Sequence, residues 1–577
     1  MRNMSLTKHY VLLLSALLLV GCSHEDATQA SLQSETGTDD NNSSPTGNEE
    51  IYLIDRSYYK IVNNKTAYIP PQCYTKVTDG TEEFNPCYSC HTDSKAPNFV
   101  NDSDVQASYL LNSFATKNHW INLFKDRSTE ITDINNSLIE SYIRASNYFD
   151  DKGQIILAQK LQNLPKEWDI YPDGKWNGYV PDCYYNFDTE GFDRKDNGDY
   201  TLWRSFGYHP FLGTFWPTNG STDDVLIRLP KYFSEDINGT FNIEVYKTNL
   251  AIVETIIKEK SVDFPIDERR FDVDADRDGS ITISDHISKF EQNDQIFFVG
   301  KAGYMLQNRQ ILIEKGLYPL DTEFLHSVRY IDFDPNNGEV RLSKRMKELR
   351  YAKKTRWANS ELHQIFADVE ADEKIFYPDA IKQFDGHSEV GLNNKLGWTY
   401  MAYIEDSSGD LRPQNYEELI YCMGCHGMIG GTKDTIFSFG RKLDENSFQK
   451  GWFHWTQKGL KGIAERLRED GNYEYSYYLK HNKAGDEFRE NDEVISKFFT
   501  SDLSEKESAF DTLHNDISYL LIPSASRAMQ LNKAYYSIVK EQSYIYGRDA
   551  NSKPVQNVHK TVEQNAETGI TSILTYW

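Results

Sequence analysis

Two copies of Cys-x-x-Cys-His, Cys87-Tyr-Ser-Cys90-His91 and Cys422-Met-Gly-Cys425-His426, constrain this chain more than any other feature. The spacing lets two thiols add across the vinyl groups of one porphyrin while the adjoining His stands beneath the iron. A zinc site would need a second ligand pair at finger-like spacing, and no third Cys-x-x-Cys exists. The sequence therefore predicts two covalently bound c-type haems with His91 and His426 as proximal ligands.

The N-terminus points to export. Arg2 and Lys8 precede an apolar run, Tyr10 to Val20, that is too short for a membrane span and fits a secretory leader over 1–21. Leu19-Val20-Gly21-Cys22 resembles the lipobox of bacterial lipoproteins, which implies lipidation of Cys22. Ser23 follows it, and by that resemblance the sorting leans to the outer membrane, with the body in the periplasm or at the cell surface. Residues 22–50 are polar with almost no apolar content and read as a disordered tether. With Cys22 lipidated and four cysteines on haem, Cys73 and Cys183 remain of seven. An oxidising compartment favours their pairing, and separate buried thiols are the alternative.

The 577 residues suggest roughly three or four domains. The pattern predicts an α+β multidomain protein, with helical haem regions, irregular aromatic-rich loops and a small β-hairpin portion. The segments are an N-terminal haem region (51–222), a region holding a calcium loop (223–300), a hairpin and basic-helix region (301–412) and a C-terminal helical haem region (413–577). Helices are predicted in 137–164, 344–356, 456–468 and 524–543. A strand is predicted at Val225–Leu229, and a hairpin at His326–Phe333 and Glu339–Leu342 around Asp334-Pro-Asn-Asn-Gly338. The net charge is −25, and losing Arg2 and Lys8 with the leader takes it to −27. That disfavours nucleic acid and suits a redox partner with a basic surface. Eight Lys/Arg within 341–356 read as a solvated helix face or as partners for haem propionates.

Asp274, Asp276, Asp278, Gly279, Ser280, Thr282 and Asp285 fit a 12-residue EF-hand loop, with Asp where Glu usually closes it. That ending resembles dockerin-type extracellular loops and implies one structural calcium ion.

Reactivity turns on the distal iron ligands. His119-Trp120 follows His91 by 28 residues, and His454-Trp455 follows His426 by 28. A shared Asn-Ser-Phe, at 112–114 and 446–448, precedes each pair and suggests a faint duplication with His119 and His454 as distal ligands. His326, on the apolar face of the predicted hairpin, is the rival.

These features resemble bacterial multihaem c-type cytochrome lipoproteins, which implies electron transfer at the cell envelope. The alternative, by resemblance to bacterial dihaem peroxidases, is an oxidoreductase with one open iron. The block Trp203 to Gly220 would wall its pocket.

Overall fold

In the computed structural model, residues 63–574 are described except 79–80, 101, 214–216, 445–450 and 484–490. The leader, Cys22, the tether, Trp216 and Asn446–Phe448 lie outside the described residues.

The architecture follows from one antiparallel sheet and the helices on its faces. Its strands are β1 (Phe192–Arg194), β2 (Tyr200–Ser205), β3 (Ser221–Asp223), β4 (Leu226–Arg228), β5 (Glu323–Phe333), β6 (Val340–Lys354), β7 (Asp385–His387), β8 (Gly391–Asn393), β9 (Trp398–Glu405) and β10 (Leu411–Pro413). Their order is β7-β8-β9-β6-β5-β4-β2-β1, with β10 beside β9 and β3 beside β5. Four helices carry the argument: α1 (Ile243–Lys258), α2 (Ser360–Phe376), α3 (Tyr416–Cys425) and α4 (Ala525–Glu541). The fold is α+β. Strands from three of the four expected body segments share this sheet, and Ile54–Trp577 forms one unit.

The hairpin forms as its sequence dictates. Gly338 takes φ +71°, and its amide donates to the Asp334 carbonyl at 2.8 Å. Successive residues then alternate between faces. Leu325, Leu349, Met401 and Tyr403 enter one core with Trp203 and Cys183. Phe324, Ala352 and Tyr400 enter another with α1 and α3. Burial of Leu250, Ile252, Val253 and Ile256 on α1 contributes about 1.5–3 kcal/mol each. Helix α4 covers Tyr330 and Ile404 at the far end.

Two helix expectations are corrected. Residues 344–356 fall mostly in strand β6, because three of their cations, Arg345, Lys347 and Lys354, enter buried partnerships instead of lining a solvated helix face. Arg345 pairs with Glu405 at 3.2 Å, Lys354 with Asp434 at 2.6 Å, and Lys347 Nζ donates to the Gly220 carbonyl at 2.7 Å. Residues 456–468 are turns and irregular chain, with Gly459 and Gly462 breaking the pattern. Residues 137–164 hold two short helices, Asn136–Arg144 and Ile156–Gln162. Among the aromatic-rich residues 165–222, expected to be irregular loops, lie β1, β2 and the start of β3.

Candidate functional site

The second motif occupies the last turn of α3. Asn415 begins this helix with a reciprocal capping box: its side chain accepts from the Glu418 amide, and the Glu418 carboxylate accepts from the Asn415 amide, both at 2.9 Å. Cys422 and Cys425, three apart, share a face. The His426 amide donates to the Cys422 carbonyl at 3.1 Å, so one helical turn groups both thiols and the imidazole. His426 Nδ1 donates to the Thr435 carbonyl at 2.9 Å, and its ring rests on Tyr400 with centroids 4.6 Å apart. Burial, with the Arg350 charge adding to it, lowers its pKa to about 4, so the ring is neutral at pH 7.

The first motif uses a tighter scaffold. Pro86 leads into a 3-10 turn, Cys87–Ser89, and the Cys90 and His91 amides both donate to the Cys87 carbonyl, at 3.1 and 2.9 Å. His91 Nδ1 meets Asp102 Oδ2 at 2.8 Å. In both motifs Nδ1 is tied, and Nε2 makes no hydrogen bond to a described residue. An outer-shell partner on one ring nitrogen fixes the tautomer that presents the other to a metal.

The fold packs the two motifs together. The Gly431 amide donates to the Cys90 carbonyl at 3.2 Å, and Asn98 Nδ2 donates to the Thr432 carbonyl at 2.7 Å. Only glycine permits these approaches. A Cβ on Gly430 would lie 1.9 Å from the Thr92 carbonyl oxygen, and one on Gly424 1.9 Å from that of Tyr68. Burial raises the Cys425 thiol to about 11 and the Cys90 thiol well above its usual range, with Cys425 adding to the latter. A reactive dithiol shows the opposite, a lowered pKa. Nor do these thiols converge as metal ligands. Among the described residues, one group alone, Glu268, Asp274 and Asp276, gathers three ligand atoms within 4.8 Å of one another.

The expected Cys73–Cys183 disulfide is not formed, and both thiols are free. Cys73 stands among the motif cysteines, where burial, with Cys425 adding, raises it to about 12. Cys183 belongs to the core on the opposite sheet face, and its carbonyl accepts from Tyr148 Oη at 2.8 Å. The sheet separates them.

The sheet face beneath α3 is polar in a way the sequence did not announce. Arg350 sits directly opposite His326 on β5 and Ala402 on β9. Its charge reaches Asp223, His326, His426, Cys422 and Cys425. Glu348 accepts from Arg350 Nε at 3.0 Å and Arg548 Nη1 at 2.7 Å; though burial opposes it, these cations lower its pKa to about 2. His326 Nδ1 donates to the Asp224 carbonyl, and its Nε2 lies 3.4 Å from Asp223 Oδ2. Tyr208 Oη donates to the other Asp223 oxygen. Burial raises Asp223 to about 7.

The three distal candidates part company. His326 is brought to the second motif, where it and His426 influence each other electrostatically. His454 has both nitrogens engaged: Nε2 donates to Asp224 Oδ2 at 3.0 Å, and Nδ1 accepts from the Thr456 amide at 3.1 Å. His119 stacks on Phe114, centroids 4.3 Å apart, with Nε2 on the Phe114 carbonyl at 3.2 Å. His454 stacks instead on Phe187. The two spacings thus place their His rings against different described neighbours.

The acidic loop adopts much of the expected form. Gly279 takes φ +88°, its amide donates to Asp274 Oδ2 at 3.0 Å, and the Ser280 amide donates to Asp278 Oδ1 at 2.7 Å. Asp285 does not close it. Strand Ile283–Ile287 turns that side chain outward, 96% exposed, onto His286 Nδ1. Glu268, missed in the sequence, takes the position beside Asp274 and Asp276 while accepting from the Ala275 and Thr282 amides. It precedes the loop by six residues, outside the motif's register, so spacing gave no signal.

Over residues 57–515 the sequence matches a family described as "-like lipoprotein". It is 30% identical over 539 residues to an uncharacterized lipoprotein of Aquifex aeolicus (strain VF5), covering 85% of this chain and 86% of that protein. The chain belongs to this lipoprotein family. No solved structure matches it. Among the described residues no helix is long and apolar enough to cross a membrane.

Proposed function

We propose that this lipoprotein is a dihaem c-type cytochrome that transfers electrons at the bacterial cell envelope. The observation that supports it is the packing of two Cys-x-x-Cys-His motifs, 335 residues apart in sequence, against each other with each His held through Nδ1. The donor set fits the group. Cys87 and Cys90, with Cys422 and Cys425, would form the thioethers, and His91 and His426 would ligate through Nε2. Bound haem supplies one-electron iron chemistry. Around it, Asp102 and the Thr435 carbonyl orient the imidazoles, and Arg350 places a half-buried cation beside the second motif. His326 is the distal candidate the geometry favours there. Lipid on Cys22 would tether the body, with the outer membrane favoured, and an acidic surface would meet a basic redox partner. One calcium ion held by Asp274, Asp276 and Glu268 would brace the loop.

A specific observation favours a second reading, an oxidoreductase with an open second iron. Tyr208 and Asp223 form a buried hydrogen-bonded pair, and half-buried His326 brings Nε2 to 3.4 Å from Asp223 on the same sheet face. Intact mass and a pyridine haemochrome assay count the haems; a mass without two additions ends both readings. Low-temperature EPR of the oxidised protein then separates them. Two low-spin signals support the electron carrier, and one high-spin signal supports the oxidoreductase.

A further inference from the structure

Helix α2 carries its apolar stripe on the wrong side for a helix that serves only its own core. At about 3.6 residues per turn, Leu362, Ile365, Val369 and Phe376 fall in one stripe roughly 60° wide. They are 38, 48, 51 and 69% exposed. The buried residues, His363 and Ala367, lie on another face. Ile375 and Tyr377, each 69% exposed, extend the patch at the helix end. Exposed Glu361, Asp368 and Asp372 line one flank. Scattered surface apolar residues need no explanation, but an ordered stripe marks an interaction surface.

The inner face of the same helix leads to the second motif. His363 Nε2 lies 3.9 Å from Asp434 Oδ1. The next residue, Thr435, holds His426 through its carbonyl at 2.9 Å. A partner seated on α2 therefore rests one helix thickness from the residues that orient His426.

We infer that the outer face of α2 is the docking surface for a redox partner with an apolar groove rimmed by Lys and Arg. The stripe supplies i, i+3 and i+7 anchors for helix-in-groove binding, and the acidic flank steers a cationic rim. A second copy is disfavoured, because the chain carries a net charge of −25 and acid would meet like charge. The same charge disfavours an anionic bilayer. The redox character of the partner rests on the electron-transfer reading above; the docking surface itself is tested by binding.

The test uses full-length protein with its haem content measured in every sample, and a strongly basic soluble monohaem cytochrome c as the probe. Calorimetry is expected to show binding that weakens as salt rises. Glu361→Lys with Asp368→Lys and Asp372→Lys should weaken it tenfold or more, and so, separately, should Val369→Ser with Phe376→Ser. All five positions are exposed, and unchanged haem spectra and melting would show that the fold survives. Unchanged probe affinity in both variants overturns the inference. So does a stripe variant that instead abolishes binding to phosphatidylcholine vesicles, or that converts a dimer to a monomer in sedimentation. Loss of haem in the wild-type protein would sink the electron-transfer reading alone, since probe binding is scored without electron flow.

Discussion

The Gly431 amide and the Cys90 carbonyl oxygen, 341 residues apart in sequence, meet at 3.2 Å. This contact joins the chain after the second motif to the last cysteine of the first, and the neighbouring Gly430 has no room for a side chain. Gly430→Ala should therefore push the Thr92 carbonyl away, at a cost of about 1–3 kcal/mol. It should also alter the spectra of both motifs. Thermal melting with a haemochrome spectrum checks this; an unchanged melting temperature would show that the two motifs are not mechanically joined here.

Asp102 is the partner that sets His91. Its carboxylate on Nδ1 fixes the tautomer that presents Nε2 and places a negative charge beside the ring. Asp102→Asn should keep the hydrogen bond but remove the charge, raising the midpoint potential of the haem proposed at the first motif. The second, held by a neutral carbonyl, should not move. Spectroelectrochemistry resolving the two potentials decides it, and an equal shift in both would contradict the assignment.

Much of this site was readable from the chain alone because its spacing is local. Within each motif, one turn of backbone sets both thiols and the His, and the Asn415–Glu418 cap announces the helix beneath the second. The β5–β6 hairpin was equally legible through its period-2 pattern and its Gly338 turn. What escaped has no fixed spacing. Asp102 and Thr435 return to their His from 11 and 9 residues along the chain, and Asp223 arrives on strand β3, with no periodicity to mark them. The basic run misled because local composition favours a helix, whereas buried acids such as Glu405 and Asp434, far along the chain, select a strand. Cysteine parity suggested a disulfide, but the count of thiols carries no information about which side of a sheet each occupies.

Glu465 gives a clean pH signature. Burial raises it to about 7, although hydrogen bonds from Ser476 oppose the shift. The folded state thus keeps a proton that the unfolded chain releases near pH 4.5. Its contribution to stability is largest below that pH, declines as pH rises to about 7 and is then constant. Glu465→Gln should abolish this decline while leaving stability at pH 4 almost unchanged. Melting curves of both proteins between pH 4 and 8 measure the difference; parallel curves throughout would refute it.

Calcium should raise the melting temperature, because Asp274 and Asp276 repel each other and Glu268 until a cation joins them. Glu268→Gln or Asp276→Asn should remove that rise. Asp285→Ala should preserve it, since its side chain points to solvent. If Asp285→Ala alone eliminated the calcium response, the ordinary loop register would be restored and Glu268 would be only a structural clamp.

The distal assignment is the sharpest test of mechanism. His326 stands opposite Arg350 on the sheet face that meets His426, with Nδ1 fixed by the Asp224 carbonyl. A strong second ligand closes an iron to peroxide and limits rearrangement on reduction, which suits rapid electron exchange. His326→Ala should therefore turn one low-spin EPR signal high-spin and let that iron bind cyanide. His454→Ala should behave differently. It leaves Asp224 buried without its ring partner, so stability should fall by about 3 kcal/mol while both low-spin signals persist. A high-spin signal in His454→Ala would reverse the assignment. A high-spin signal already present in the unmodified protein would give Tyr208, Asp223 and His326 the role of a polar pocket over an open iron, and the oxidoreductase reading would then take precedence.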